Sequence, residues 1–331
     1  MKQRDTKRNS EVEQSTMKHI TILGEGAWGT ALASILATNG YEPLIWAYHQ
    51  DSCDEINTNH TNSRFLKDVS LDHAIRATNN LDHALNHSSV IIIALPTNYI
   101  RQTLQPFSTI SKKLWIIGSK GLEISRGIVS SQIIHELFPE HSHAVIAGPS
   151  FAQDVIKKQP TGLIVASDSV EARLNAINLL KNDYISLHES NDAIGIQYAS
   201  ILKNIYALGM GILKGAGYED NTCALYLIKA LHEMHKIITV HGGKLETIYG
   251  LAGLGDFYLT ASSLKSKNMR FGYEIGAGKT LSELKKHCET LPEGVMSLEA
   301  FSRQLHTYPI MQSIIDCIHK NESTLLLRAI I

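Results

Sequence analysis

Lys18-His19-Ile20-Thr21-Ile22-Leu23-Gly24-Glu25-Gly26-Ala27-Trp28-Gly29-Thr30-Ala31-Leu32-Ala33-Ser34-Ile35-Leu36-Ala37 is the stretch that decides the fold. Its first part, Lys18 to Leu23, has the pattern of a short apolar strand. Its last part, from Thr30 to Ala37, holds helix formers and no breaker. Between them stands G-x-G-x-x-G, which at a strand-to-helix junction is a dinucleotide-binding turn. Gly24 permits the tight turn, Gly26 lets the backbone approach a pyrophosphate, and Gly29 lets helix and strand pack closely. The phosphates then face the free N–H groups and positive dipole end of the new helix.

Further strand-like runs follow at Pro43 to Tyr48, Val90 to Leu95, Leu114 to Gly118, Ala144 to Ala147 and Leu163 to Ala166. Several are rich in Ile and Val without alternation, as parallel strands covered on both faces are. Helical stretches such as Ile128 to Leu137 lie between them. The alternation predicts an α/β fold, a doubly wound Rossmann-type parallel sheet over residues 17–190. Beyond about Asn191 the strand runs vanish and helical periodicity continues, so residues 191–331 read as an all-helical domain. The polar opening, 1–16, has no hydrophobic region of a signal peptide and reads as a disordered extension.

With 331 residues the chain has material for about two domains with separate cores. Apolar residues at 44% and charged residues at 19% are ordinary for a globular enzyme, and a net charge of −1 gives no electrostatic case for nucleic acid or an anionic membrane. The 16 histidines add positive charge only below about pH 6.5. Cys53, Cys223, Cys288 and Cys317 are scattered and form no C-x-x-C pair. That argues against a zinc site and a disulfide framework, and suits a reducing cytoplasm. No apolar run reaches the roughly 18 residues of a membrane span.

In a doubly wound sheet ligands bind beyond the carboxyl ends of the strands. Leu95-Pro96-Thr97-Asn98, Ser119-Lys120-Gly121 and Gly148-Pro149-Ser150 stand at such ends. Gly, Pro, Ser and Asn end strands everywhere, but a cation at Lys120 beside a phosphate site has an evident use. The second strand ends Ile45-Trp46-Ala47-Tyr48-His49-Gln50. It has neither the acid that binds the ribose hydroxyls of NAD, until Asp51, nor an Arg for the 2′-phosphate of NADP. The choice between the two cofactors stays open.

Ile196 to Leu213 reads as a helix apolar nearly all round, with Gln197, Ser200 and Asn204 on one face and Lys203 at its edge. Such a helix is buried, and burial lowers the pKa of an amine, which makes Lys203 a usable acid near neutral pH. A snorkelling or ion-paired lysine fits the same pattern. Gly250-Leu251-Ala252-Gly253-Leu254-Gly255-Asp256-Phe257 predicts a close turn displaying a carboxylate, either for chemistry or as a cap. Ser262 to Gly272 packs Ser, Lys, Asn and Arg together, as a phosphate grip or a solvated basic loop.

Taken in order, these segments resemble the bacterial-type NAD(P)-dependent glycerol-3-phosphate dehydrogenases, from about residue 18 to about residue 315. The pieces are Gly24 to Ala33, Ser119-Lys120-Gly121-Leu122-Glu123, Ala147-Gly148-Pro149-Ser150-Phe151-Ala152, Leu202-Lys203-Asn204, Gly253-Leu254-Gly255-Asp256, Ser266-Lys267-Asn268 and Glu293-Gly294. The resemblance implies reversible reduction of dihydroxyacetone phosphate to sn-glycerol 3-phosphate with NADH or NADPH, supplying glycerophospholipid synthesis. It implies Lys203 as proton donor, Asp256 as the group that orients it and raises its pKa, and Lys120 beside the forming oxyanion. Substrate contacts are implied for Lys120, Gly148, Ser150, Lys203, Asn204, Asp256 and Thr260. The substrate phosphate falls to Ser266, Lys267 and Asn268. Cofactor contacts are implied for Gly24, Gly26, Ala27, Trp28, Gly29, Tyr48, Lys120, Ala152, Lys267, Leu291 and Glu293. No metal is expected, and the all-helical domain could pair with a second copy as a homodimer.

Three positions depart from the family pattern. Lys267 replaces an Arg, keeping the charge but losing the planar fork, and Arg270 stands close enough to compensate. Asp154 replaces a Glu, and nothing in the sequence explains it. Tyr48 stands where a basic residue often helps with the adenosine end. A 3-hydroxyacid or 6-phosphogluconate-type dehydrogenase also joins such domains with a Lys-x-x-x-Asn pairing. Adjacent Lys203 and Asn204, followed by Gly-Leu-Gly-Asp, favour the glycerol phosphate enzyme. A dinucleotide sensor without catalysis would have no need of Lys203, Asp256 and Lys120.

Overall fold

A computed structural model describes residues 18–288, 290–301, 307–320 and 322–331; the extension expected over 1–16 lies outside the described residues. The chain divides into two compact units. The first holds the sheet and runs to Asn191, apart from two short excursions, 120–130 and 147–149, which cluster with the second unit together with 192–331.

The first unit is a sheet of eight strands in the order β10-β9-β8-β5-β4-β1-β2-β3. Its strands are β1 His19–Leu23, β2 Glu42–Trp46, β3 Arg76–Thr78, β4 Val90–Ile93, β5 Leu114–Ile117, β8 Ser142–Ala147, β9 Thr161–Ala166 and β10 Ile185–Ser190. β1 lies parallel to both β2 and β4, and the parallel run continues through β5 to β8. The chain steps outward from β1 to β2 and β3, then returns to β4 on the other side of β1. The reversal makes the end of β1 the topological switch point, the place where doubly wound sheets bind ligands. Ile20, Ile22, Ile45, Ile92 and Ile116 are fully buried, as is Ile35 of the first helix. Each such side chain contributes about 1.5–3 kcal/mol by leaving water.

The first helix, Ala27–Thr38, ends where its carbonyls are taken by the N–H groups of Asn39, Gly40 and Tyr41, with Gly40 in the left-handed region. Three strands escape the apolar pattern. Arg76–Thr78 is three residues long with only Ala77 buried, and Ile185–Ser190 is a sheet edge buried only at its start. The third escape corrects an expectation: Ile128–Val129 does not begin a helix. It is strand β7, paired antiparallel with β6, Leu122–Glu123, and the helix begins at Ser130.

The second unit is built round the helix Ala193–Gly215, buried almost throughout. Asp192 caps it, accepting the Gly195 N–H, and also ties down Lys244 N–H and the Thr247 hydroxyl. Against it lies the helix Lys267–Gly276, at backbone contact. A Cβ on Gly211 or Gly215 would sit 2.2 or 2.0 Å from the carbonyl oxygens of Met269 and Tyr273. The same holds in reverse for Gly272 and Gly276 against Leu208 and Ile212. Interior glycines cost helix stability, and here they admit a crossing that no side chain would allow. No helix among the described residues is long and apolar enough to cross a membrane.

Two expectations are corrected in this unit. Gly250 to Phe257 is not an isolated turn: Leu251–Gly255 is one π-helical turn that runs into the helix Asp256–Ala261. Gly253 makes this winding fit, since a Cβ there would lie 2.1 Å from the Ile248 carbonyl oxygen. Nor is Ser262 to Gly272 a basic loop throughout, because Ser266 caps the helix that starts at Lys267.

Candidate active site

In the first unit, the glycine turn follows β1 directly. Gly24 has φ +120, and a Cβ on it would lie 2.7 Å from the Ala94 carbonyl oxygen. A Cβ on Gly29 would strike the Gly24 carbonyl oxygen at 2.0 Å. Nothing stands within 4 Å of the place a Cβ would take on Gly26. The helix that begins at Ala27 has no side-chain cap and no acid in its first turn, so its leading N–H groups are left for an anion. The Trp28 indole nitrogen is buried without a hydrogen-bond partner among the described residues, against Gly118, where a Cβ would come within 2.9 Å of it. An open turn, an uncapped helix start and an orphaned donor fit a dinucleotide. Tyr48, at the end of β2, is 77% exposed, while Ser150 and Ala152 are half-buried.

One carboxylate in this turn was not singled out by the sequence reading. Glu25, only 5% exposed, turns its side chain to the end of β2. There it accepts the His49 N–H at 3.3 Å and pairs with the ring nitrogen Nδ1 of His49. Its backbone carbonyl takes the amide of buried Asn62 and the hydroxyl of Thr30. The sequence signal was an acid in a variable position of the motif, which glycine counting passes over.

In the second unit, Lys203 is 5% exposed and Asp256 1%. The Lys203 ammonium donates to Asp256 Oδ1 and, at 3.1 Å, to Thr260 Oγ1. Lys120 donates to the other carboxylate oxygen, Oδ2, at 3.0 Å. The Thr260 hydroxyl donates in turn to the Asp256 backbone carbonyl at 2.7 Å, which holds its lone pairs toward Lys203. Two cations thus share one anion.

The two lysines differ in their proton affinity. Burial lowers Lys203 to about 8, against the pull of Asp256 and with the neighbouring Lys120 adding to the fall. Burial acts on Lys120 too, but there Asp256 outweighs it and holds the ammonium above the ordinary lysine value. Lys203 is therefore the group poised to exchange a proton near neutrality, and Lys120 the fixed charge beside it.

A chain of amides continues from this pair. Asn204 donates to Glu293 at 3.0 Å and accepts from Asn268 at 3.0 Å, while Asn268 accepts the Gly294 N–H at 2.8 Å. Gly294 is confined, since a Cβ there would lie 2.5 Å from the Asn204 carbonyl oxygen. Ser266 is buried and its hydroxyl accepts the Met269 N–H. Lys267 and Arg270, one helical turn apart, are exposed and line a cavity of about 250 Å³ with Phe271, Glu274 and Thr290. Leu291 is half-buried just before Pro292. Gly148 is buried, with φ +135. The Ser200 hydroxyl, one turn before Lys203 and Asn204, is buried without a partner among the described residues.

A dinucleotide-binding turn in one unit and a buried lysine–aspartate centre in the other define a class, the two-domain dehydrogenases. The comparisons narrow it. The family described as NAD-dependent glycerol-3-phosphate dehydrogenase N-terminus matches residues 19–173, and its C-terminus counterpart matches residues 192–326. The chain belongs to this NAD-dependent glycerol-3-phosphate dehydrogenase family. It is 36% identical over 309 residues to a glycerol-3-phosphate dehydrogenase [NAD(P)+] of Macrococcus caseolyticus, covering 92% of this chain and 93% of that protein. A relative of the same name from Streptococcus agalactiae is 34% identical over 314 residues, 92% of this chain and 93% of its own. The crystal structure of glycerol-3-phosphate dehydrogenase from Coxiella burnetii superposes with a TM-score of 0.87 at 29% identity, over 95% of this chain and 97% of that one.

Proposed function

We propose that this protein interconverts dihydroxyacetone phosphate and sn-glycerol 3-phosphate with NADH or NADPH as reductant, and that Lys203 moves the proton. The observation that carries this reading is the buried Lys203 held by Asp256 and Thr260, with Lys120 on the opposite carboxylate oxygen. A bound nicotinamide supplies the hydride that adds to the ketone carbon. The oxygen then becomes an alkoxide, which takes a proton from the Lys203 ammonium; in the reverse direction the neutral amine removes it. Lys120 remains charged and lowers the energy of that oxyanion, and Asp256 orients both amines. Asn204 positions Asn268 and Glu293.

The cofactor is assigned to Gly24, Gly26, Ala27, Trp28 and Gly29, with Tyr48, Lys120, Ala152, Lys267, Leu291 and Glu293 as further contacts. The substrate falls to Lys120, Gly148, Ser150, Lys203, Asn204, Asp256 and Thr260. The phosphate grip is assigned to Ser266, Lys267 and Asn268, at the start of the helix Lys267–Gly276. The Ser266 hydroxyl and both polar ends of the Asn268 amide are already engaged. More of the grip therefore falls on Lys267, Arg270 and the first N–H groups of that helix. We place the activity in the cytoplasm, as a supply of the glycerol phosphate backbone of phospholipids. The chain works on its small-molecule substrate without nucleic acid. A homodimer through the helical unit is proposed on the exposed Leu225 and Ile228 of the helix Asp220–Val240.

The test is the loss of reduced-nicotinamide absorbance when the purified protein meets dihydroxyacetone phosphate, with NADH and NADPH in parallel. Rapid oxidation is expected. No oxidation with either cofactor, in protein that binds both, would contradict the reading.

A further inference from the structure

Ser200 is 2% exposed, and its hydroxyl has no hydrogen-bond partner among the described residues. A serine inside a helix ordinarily bonds back to the carbonyl four residues earlier, here that of Ile196, and this one does not. A buried hydroxyl left unpaired is costly, so a ligand group that pairs with it recovers what the free protein forgoes. Lys203 and Asn204, one turn further along the same helix, are both in use; Ser200 is the polar group of that face with no task in the structure.

Its place follows from the way two helices lie side by side. Asn204 meets Asn268, a Cβ on Gly272 would strike the Leu208 carbonyl, and one on Gly276 would strike the Ile212 carbonyl. These pairs advance by four residues in both helices together, so Ala193–Gly215 and Lys267–Gly276 run parallel. One turn before Asn204 the same stripe arrives at Ser200. The second helix does not reach that far: Ser266 caps it, and Leu264, which the register would set opposite Ser200, is 53% exposed. Ser200 therefore stands beside the space just beyond the start of Lys267–Gly276, toward which that helix turns its leading N–H groups. Round its own helix it falls between Lys203 and Asn204, about 60° from one and about 40° from the other. The Asn204 amide leans back over this turn, donating to the Ser200 carbonyl at 3.4 Å and to Glu293 at 3.0 Å.

We propose that Ser200 donates its hydroxyl to the substrate phosphate, and that Ser200, rather than Ser266, is the hydroxyl of the phosphate grip. The Ser266 hydroxyl is held within its own helix by the Met269 N–H, whereas that of Ser200 has its donor and both lone pairs to offer. A hydrogen bond to an ionised phosphate oxygen is about twice as strong as one between neutral groups. The Asn204 amide is the cover: a phosphate that draws it away from the Ser200 carbonyl opens the hydroxyl beneath. Ser200 thereby sharpens the preference for a phosphorylated ketone over the same ketone without its phosphate. The inference rests on the phosphate assignment above and adds to it a donor from a different helix.

The test uses the full chain, Ser200→Ala and Ser200→Thr. One readout is the ratio of kcat/KM for dihydroxyacetone phosphate to kcat/KM for dihydroxyacetone, both with NADH. The other is the inhibition constant of inorganic phosphate competing with the phosphorylated substrate. Ser200→Ala is expected to lower the ratio about tenfold, through the Michaelis constant of the phosphorylated substrate, and to raise the inhibition constant by a similar factor. Ser200→Thr keeps the hydroxyl and is expected to bring both back to within about threefold of the original chain. Without ligands, Ser200→Ala should unfold at a temperature no lower than the original chain, because no hydrogen bond is lost. A ratio that stays put in Ser200→Ala overturns the inference and leaves the dehydrogenase reading standing. So does a changed ratio with unchanged phosphate inhibition, which would assign the hydroxyl to another part of the substrate. So does an equal loss for both substrates with a lower unfolding temperature, which would make Ser200 structural. An original chain that oxidises no NADH with dihydroxyacetone phosphate overturns both readings.

Discussion

In the proposed function the glycine turn and the lysine–aspartate centre both handle negative charge, by opposite means. The turn presents backbone N–H groups round an empty approach at Gly26, and its shape comes from residues that follow one another in the chain. The centre presents side chains: Lys120, Lys203 and Asp256 meet across sequence separations of 136 and 53 residues. A backbone site depends on the absence of atoms, so it is broken by adding them. A side-chain site depends on a balance of charges, so it is broken by removing one. The first holds a ligand; the second can change its protonation state and so take part in a reaction.

The contrast is sharpest at Lys203. Lys203→Met keeps the length of the side chain and removes the amine, and turnover is expected to fall about 10²–10⁴-fold. Dinucleotide affinity, measured by fluorescence titration, should hardly change; a matching loss of affinity would show that the two regions do not divide the work this way. Asp256→Asn comes next, with turnover about a hundredfold lower. Here the cause is indirect: the buried Lys203 and the half-buried Lys120 lose their shared counter-charge, and Lys203 gives up its proton at lower pH. The double variant should be little worse than Lys203→Met alone, because the carboxylate acts through the amine.

Within the turn, Gly26→Ala and Gly29→Ala separate binding from folding. An alanine at 29 collides with the Gly24 carbonyl, so thermal unfolding should register a loss of about 1–3 kcal/mol. An alanine at 26 meets nothing in the protein itself, so stability should hold while dinucleotide affinity drops about tenfold or more. Equal unfolding temperatures for the two variants would break the argument. The smallest effect belongs to Arg270→Ala, at the exposed rim beside Lys267. The Michaelis constant for dihydroxyacetone phosphate should rise about two- to fivefold at constant turnover. An unchanged constant would remove Arg270 from the phosphate grip.

These regions were also unequally legible in the sequence. The turn could be read because its residues are contiguous and its neighbours show their periodicity openly. Lys203 could be read as a buried amine from the apolar helix round it, but not its partnership with Lys120 and Asp256, which only the folded unit brings about. β3 and β10 were missed because few of their residues are buried, so no apolar run announces them. Three glycines before Asp256 signalled a turn, whereas a π-helical winding uses one of them, Gly253, to clear the Ile248 carbonyl. Glu25 was hidden inside the motif that was recognised, since the motif specifies the glycines and leaves that place free.

The central claim is that one buried amine exchanges the proton in both directions, and the pH dependence of the two turnover numbers tests it. Reduction of dihydroxyacetone phosphate needs the ammonium, so its turnover should be level at lower pH and fall as pH rises through about 8. Oxidation of sn-glycerol 3-phosphate needs the amine, so its turnover should rise through the same value. Lys120, held above the ordinary lysine range, adds no second limb there. Mirror-image profiles crossing near the Lys203 value are the predicted result. Profiles that rise or fall together, or that keep their shape in the residual activity of Lys203→Met, would contradict the account.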